Sequence, residues 1–177
     1  LIFEENGGYI AKVSDFGYST VDVDDGLINL PFSAPWHHPE QHRNGYTFNL
    51  ATKMDAYSFG MLCFWAFFRD ADDYPDSEML EQRKRECDMP NVAARLARSM
   101  AMYGDHQKKF LTGILGMTLI HNHEVRSDFH AIITYIEEEL KPISSQAWNA
   151  AILQDQMQVV IHANFQVLYL SNLLISF

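Results

Sequence analysis

A few residues of this chain have the type and spacing to do chemistry. Asp15 ends the run Tyr9-Ile10-Ala11-Lys12-Val13-Ser14 and is followed by Phe16-Gly17. Taken alone this tripeptide is an ordinary strand end, but a carboxylate on a tight turn there can also give oxygen ligands to a hard cation. Mg²⁺ keeps several waters and needs only one or two carboxylates beside substrate phosphates. Gly17 gives the backbone freedom to swing that carboxylate, and Phe16 gives it a packed anchor. His37, His38 and His42 invite a metal reading, yet no cysteine or carboxylate pattern of a zinc site accompanies them. They are expected as loop residues packing near Trp36. Cys63, beside Leu62 and Phe64, reads as a buried reduced thiol, and no Cys-x-x-Cys pair links it to Cys87.

The elements that must position these residues follow from periodicity. Leu1-Ile2-Phe3 and Tyr9-Ile10-Ala11-Lys12-Val13 flank Asn6-Gly7, which predicts a hairpin. Residues 18–38 are polar, Asp-rich and aperiodic, as in a surface loop. Residues 51–68 give the clearest helix, capped by Thr52 with Asp55 in its first turns. Tyr57, Met61, Leu62, Phe64, Trp65 and Phe68 make it apolar nearly all round, hence buried. A linker over 70–76 precedes helical spacing over 77–102, broken at Pro90. Its basic run Arg83-Lys84-Arg85 is balanced by Glu81, Glu86 and Asp88 and reads as a solvated helix face. A core helix is expected over 107–120, then a loop and cap around Arg126, then a last helix carrying Ile132, Ile133 and Ile136.

With 177 residues, 47% apolar and 13% aromatic, the chain suits one folded domain with a sizeable core. A net charge of −10 excludes a nucleic-acid partner held through phosphates. The acid is clustered at Asp22, Asp24 and Asp25, at Asp70, Asp72, Asp73 and Asp76, and at Glu137, Glu138 and Glu139. Such runs read as solvated loops and helix faces. No signal peptide is recognisable, so an intracellular, cytoplasmic setting is expected. The stretch 159–177 is strongly apolar but interrupted by His162, Asn164, Gln166 and Asn172, so a membrane span is not expected.

Further markers stand at fixed distances from Asp15. Glu40 closes Trp36-His37-His38-Pro39-Glu40; Asp55-Ala56-Tyr57-Ser58-Phe59-Gly60 opens the apolar helix; Arg126 precedes the last one. This order resembles the C-terminal lobe of eukaryotic protein kinases, from just after the catalytic loop to residue 140. The resemblance implies a mainly α fold with a small β-hairpin: the helical lobe of a kinase-like fold, with the N-terminal lobe absent. It divides the chain into a partial kinase domain, 1–140, and an apolar extension, 141–177. It implies that Asp15 ligates Mg²⁺, that Asp15, Phe16 and Gly17 face ATP, and that Glu40, Asp55 and Arg126 are scaffold. Glu40 and Arg126 are implied to form a buried ion pair whose rupture costs roughly 3–5 kcal/mol. Asp55 is implied to hold the catalytic-loop backbone; taken alone, it is an acid at a helix N-terminus. His38 stands where the family has alanine, and Ser127 where proline usually follows the arginine.

The family's activation segment corresponds to 18–38, where Tyr18, Ser19, Thr20 and Ser33 are expected as unmodified hydroxyls. Several catalytic parts have no counterpart here: the glycine-rich loop, the Val-Ala-Ile-Lys lysine and the His-Arg-Asp loop with its Asn. No catalytic residue is therefore assigned, and the chain by itself is expected to be inactive. Together with a first residue other than Met, this suggests a fragment whose parent transfers the ATP γ-phosphate to protein Ser/Thr or Tyr hydroxyls. Alternatives are a non-catalytic module that binds a partner protein, and a gene relic.

Overall fold

The computed structural model describes residues 2–5, 8–11, 26–40 and 45–140. Asp15, Phe16 and Gly17, the hydroxyls of 18–20, His42 and the extension 141–177 lie outside the described residues. β1 (Ile2–Glu5) and β2 (Gly8–Ala11) pair antiparallel, with Ile2 opposite Ala11 and Glu5 opposite Gly8. This is the hairpin that Asn6-Gly7 predicts. It belongs to one compact unit of the chain, and Asp22–Glu139 forms another.

The larger unit is helical: α1 (Phe48–Phe68), α2 (Ser77–Arg85), α3 (Met89–Ser99), α4 (Asp105–Thr118) and α5 (Phe129–Leu140). The mainly α lobe expected from the sequence is what forms. α1 is its centre, with Ala56, Cys63, Phe64 and Phe68 completely buried. Burial pushes the Cys63 thiol far up, so the group is inert. α1 packs on α3 and α4, α3 also packs on α2 and α4, and none of the helices is long and apolar enough to cross a membrane. Where α1 meets α4, a Cβ on Gly60 would stand 2.7 Å from Thr118 Cβ and 2.9 Å from Leu119 Cδ2. Only glycine admits so close an approach.

The helix ends differ from the expected ones for physical reasons. α1 starts earlier than 51 because Thr47 caps it, its hydroxyl accepting from the Leu50 N–H at 3.3 Å. Thr52 is already inside the helix and donates its hydroxyl to the Asn49 carbonyl. The helical spacing of 77–102 resolves into α2 and α3. Asp76 caps α2 through the Met79 N–H at 2.8 Å, and Cys87 ends it in the left-handed region, φ 58°. Pro90, the expected break, lies in the first turn of α3, where its missing N–H costs nothing. Asp128 caps α5 by accepting from the Ala131 N–H at 2.8 Å.

Before α1, Ile28 and Tyr46 exchange backbone hydrogen bonds at 2.7 and 2.8 Å. Both are buried against Ala51 and Met54. The expected surface loop is thus partly interior, and His37 and His38 are buried too.

Candidate functional site

Arg126 is a buried charge of the helical unit, 1% exposed. Its guanidinium is held by the carbonyl ends of surrounding chain. Nε donates to the Ile120 carbonyl at 2.7 Å, Nη1 to the Lys53 carbonyl at 2.8 Å and Nη2 to the His121 carbonyl at 2.7 Å. The charge lies 5.0 Å over the Tyr57 ring. Lys53 Nζ donates in return to the Arg126 carbonyl. Burial pushes the arginine down to about 10, with Tyr57 and Glu40 pulling the other way, so it remains charged at neutral pH. Planar five-donor geometry explains why arginine occupies this place: lysine cannot serve three acceptors in one plane.

The bidentate pair expected between Glu40 and Arg126 is replaced by an indirect arrangement. Arg126 Nη2 lies against His38 Nε2. The Glu40 carboxylate reaches His123 Nδ1 at 3.0 Å and His121 Nε2 at 3.6 Å. His38 Nδ1 accepts from the Glu40 N–H at 2.9 Å, and its Nε2 lies 3.1 Å from the His121 carbonyl as well as against the Arg126 guanidinium. The ring meets Tyr57 edge-on at 4.7 Å. Burial, and then the Arg126 charge, hold His38 down at about 3. The structure therefore brings Glu40 and Arg126 into one cluster, joined through His38 and His121, with His123 also on the Glu40 carboxylate.

A second buried cation secures the same segment. Lys84 is 1% exposed, so the basic run is not a solvated face at its middle member. Lys84 Nζ donates to the Pro35 carbonyl at 3.0 Å and to Glu81 Oε1 at 2.9 Å, and His37 Nε2 lies 3.5 Å away. Burial lowers the lysine, with Glu81 opposing. The adjacent histidines thus diverge, His37 toward Lys84 and His38 toward Arg126. Trp36, between these anchors and the exposed loop, meets Trp65 of α1 edge-on at 6.1 Å.

Asp55 lies two turns into α1, beyond the first turn in which an acid gains from the helix dipole. Part of its surface is in solvent, and the protein crowded round the rest pushes its carboxyl up to about 6. Among the described residues no donor reaches that carboxylate. A polar groove of about 510 Å³ runs from the start of α1 to His123, lined by Thr47, Asn49, Leu50, Lys53, His123 and Glu124. No group of three or more His, Cys, Asp or Glu among the described residues is placed to hold a metal. Sequence reasoning missed Lys84, His121, His123 and Lys53. Each sits in a locally polar run, and only long-range folding turns it inward.

No protein-family model and no solved structure matches the chain. Part of it is 33% identical, over 72 residues, to the megakaryocyte-associated tyrosine-protein kinase of Rattus norvegicus. The match covers 41% of this chain and 15% of the rat protein. That similarity supports a kinase-like relationship over part of the chain.

Proposed function

We propose that this chain carries the helical lobe of a protein kinase domain whose complete form transfers the γ-phosphate of ATP to a protein hydroxyl. The observation that carries this reading is the partial identity to a tyrosine-protein kinase. It is joined by a helical unit in which the buried late arginine and the half-buried Pro39-Glu40 turn converge on one cluster. In this reading Asp15 supplies the carboxylate to Mg²⁺, with Phe16 and Gly17 setting its turn beside the nucleotide. Charge neutralisation by that ion supplies the electrostatic stabilisation that phosphoryl transfer demands. Glu40, Asp55 and Arg126 act at a distance, as scaffold beneath the loop that meets the substrate.

The test is Mg²⁺-dependent transfer of labelled phosphate from ATP by the native gene product that contains this chain. Transfer abolished by Asp15→Ala supports the reading. Nucleotide-independent binding of a partner protein, with no transfer under any Mg²⁺ condition, would replace it with a non-catalytic module.

A further inference from the structure

We propose that His38 is an acid-released latch: its neutral ring pins the 38–40 end of the 33–40 segment to α1 and the 120–126 loop, and protonation frees that end while Lys84 keeps Pro35 anchored and the helical core stays folded. The geometry leaves no place for a second ring proton. Both ring nitrogens face N–H donors, Glu40 N–H at Nδ1 and Arg126 Nη2 at Nε2, so a neutral ring can accept at one of them and an imidazolium at neither. The new charge would also form in a dry site, 0% exposed, with the Arg126 guanidinium against Nε2. Among the described residues, the other titratable groups around the ring are Tyr57 and Lys53 from α1 and His121 and His123 from the 120–126 loop. Glu40, from its own segment, turns its carboxylate to those two histidines. Burial and the Arg126 charge both oppose the imidazolium, in line with its depression from 6.5 to about 3.

Release is local because of how the segment is held. Its internal hydrogen bonds run from the Trp36 and His37 N–H groups to the Ser33 carbonyl and survive without His38. The α1–α4 crossing at Gly60 and the α3–α4 packing do not pass through the ring. The released end would uncover the Arg126 guanidinium on the side that His38 covers.

Amide hydrogen exchange of the full 177-residue chain, corrected for the intrinsic effect of pH, reads the latch at the Glu40 N–H. An open segment with an ordinary imidazole predicts a loss of protection of about 30-fold between about pH 7.5 and pH 5. The Leu119 amide in the core should stay at least on the order of 100-fold better protected throughout. His38→Gln should remove the pH dependence at Glu40. Should that variant not fold, carbon-13 NMR titration of His38 in the unaltered chain decides. A ring titrating near 6.5 in the folded protein overturns the proposal, and one still neutral at about pH 5 upholds it. Glu40 protection that is flat with pH, or equal to that of Leu119, overturns it as well.

Discussion

Replacing Arg126 and Glu40 singly and together discriminates between a direct buried ion pair and the histidine-bridged cluster. Arg126→Met keeps most of the aliphatic volume and removes three charge-assisted hydrogen bonds to carbonyls. At about 1.5–3 kcal/mol each these amount to roughly 5–9 kcal/mol. Relief from burying a charge offsets part of that, leaving a net loss of about 3–5 kcal/mol. Arg126→Lys, which can serve fewer of the acceptors, should lose less. Glu40→Gln changes a carboxylate that touches His121 and His123 and reaches Arg126 only through space. Urea denaturation at neutral pH, followed by fluorescence of the tryptophans, gives each stability. The double-mutant cycle should return a coupling between the two positions below about 1 kcal/mol. A coupling of about 3 kcal/mol or more would mean that guanidinium and carboxylate meet directly, and the bridging role of His38 would be wrong.

Other sites give independent tests. Gly60→Ala should destabilise by about 1–3 kcal/mol, because its Cβ meets Thr118 and Leu119 across the α1–α4 crossing; an unchanged urea midpoint would refute that contact. Cys87→Gly should stabilise by about 0.5–1 kcal/mol by relieving a left-handed residue at the end of α2, and a loss of stability would count against that conformation. Lys84→Ala should cost about 2–4 kcal/mol while exposed Arg85→Ala stays within about 0.5 kcal/mol, and equal effects would contradict the burial of Lys84. Asp55 binds a proton more readily folded than unfolded, its carboxyl standing at about 6 against an ordinary 3.8. Folding thus loses stability as pH rises through that window. Asp55→Asn should therefore gain on the wild type as pH is raised from about 4 to about 7, opposite in sign to His38→Gln, and parallel pH profiles would refute the assignment.

The helices were legible because apolar side chains recur at helical spacing over α1, α4 and α5, and the hairpin because Asn6-Gly7 sits between two alternating runs. The beginning of α1 was not, since Thr47 and Thr52 are alike as caps by residue type and only the structure shows Thr47 in that place. The division of 77–102 depended on Cys87 taking a left-handed conformation that its residue type does not advertise. Arg126 could be singled out as a residue to be buried. Its partners could not, because the three carbonyls that bind it carry no sequence signature. Lys84 was hidden by its neighbours: in a run of three basic residues, the middle one faces α2's interior side and takes a backbone carbonyl 49 positions away. The place of His38 next to Glu40 in the chain was visible in the sequence, but not that its ring lies between the Glu40 backbone and the Arg126 guanidinium.

The most direct measurement of the central claim is calorimetric titration of ATP into the native product with and without Mg²⁺, for wild type and Asp15→Asn. The account predicts nucleotide binding that Mg²⁺ strengthens at least on the order of tenfold in the wild type, with Asp15→Asn removing the Mg²⁺-dependent part. Binding that is the same with and without the ion, or the same in both proteins, would contradict a kinase role for Asp15 and the lobe that follows it.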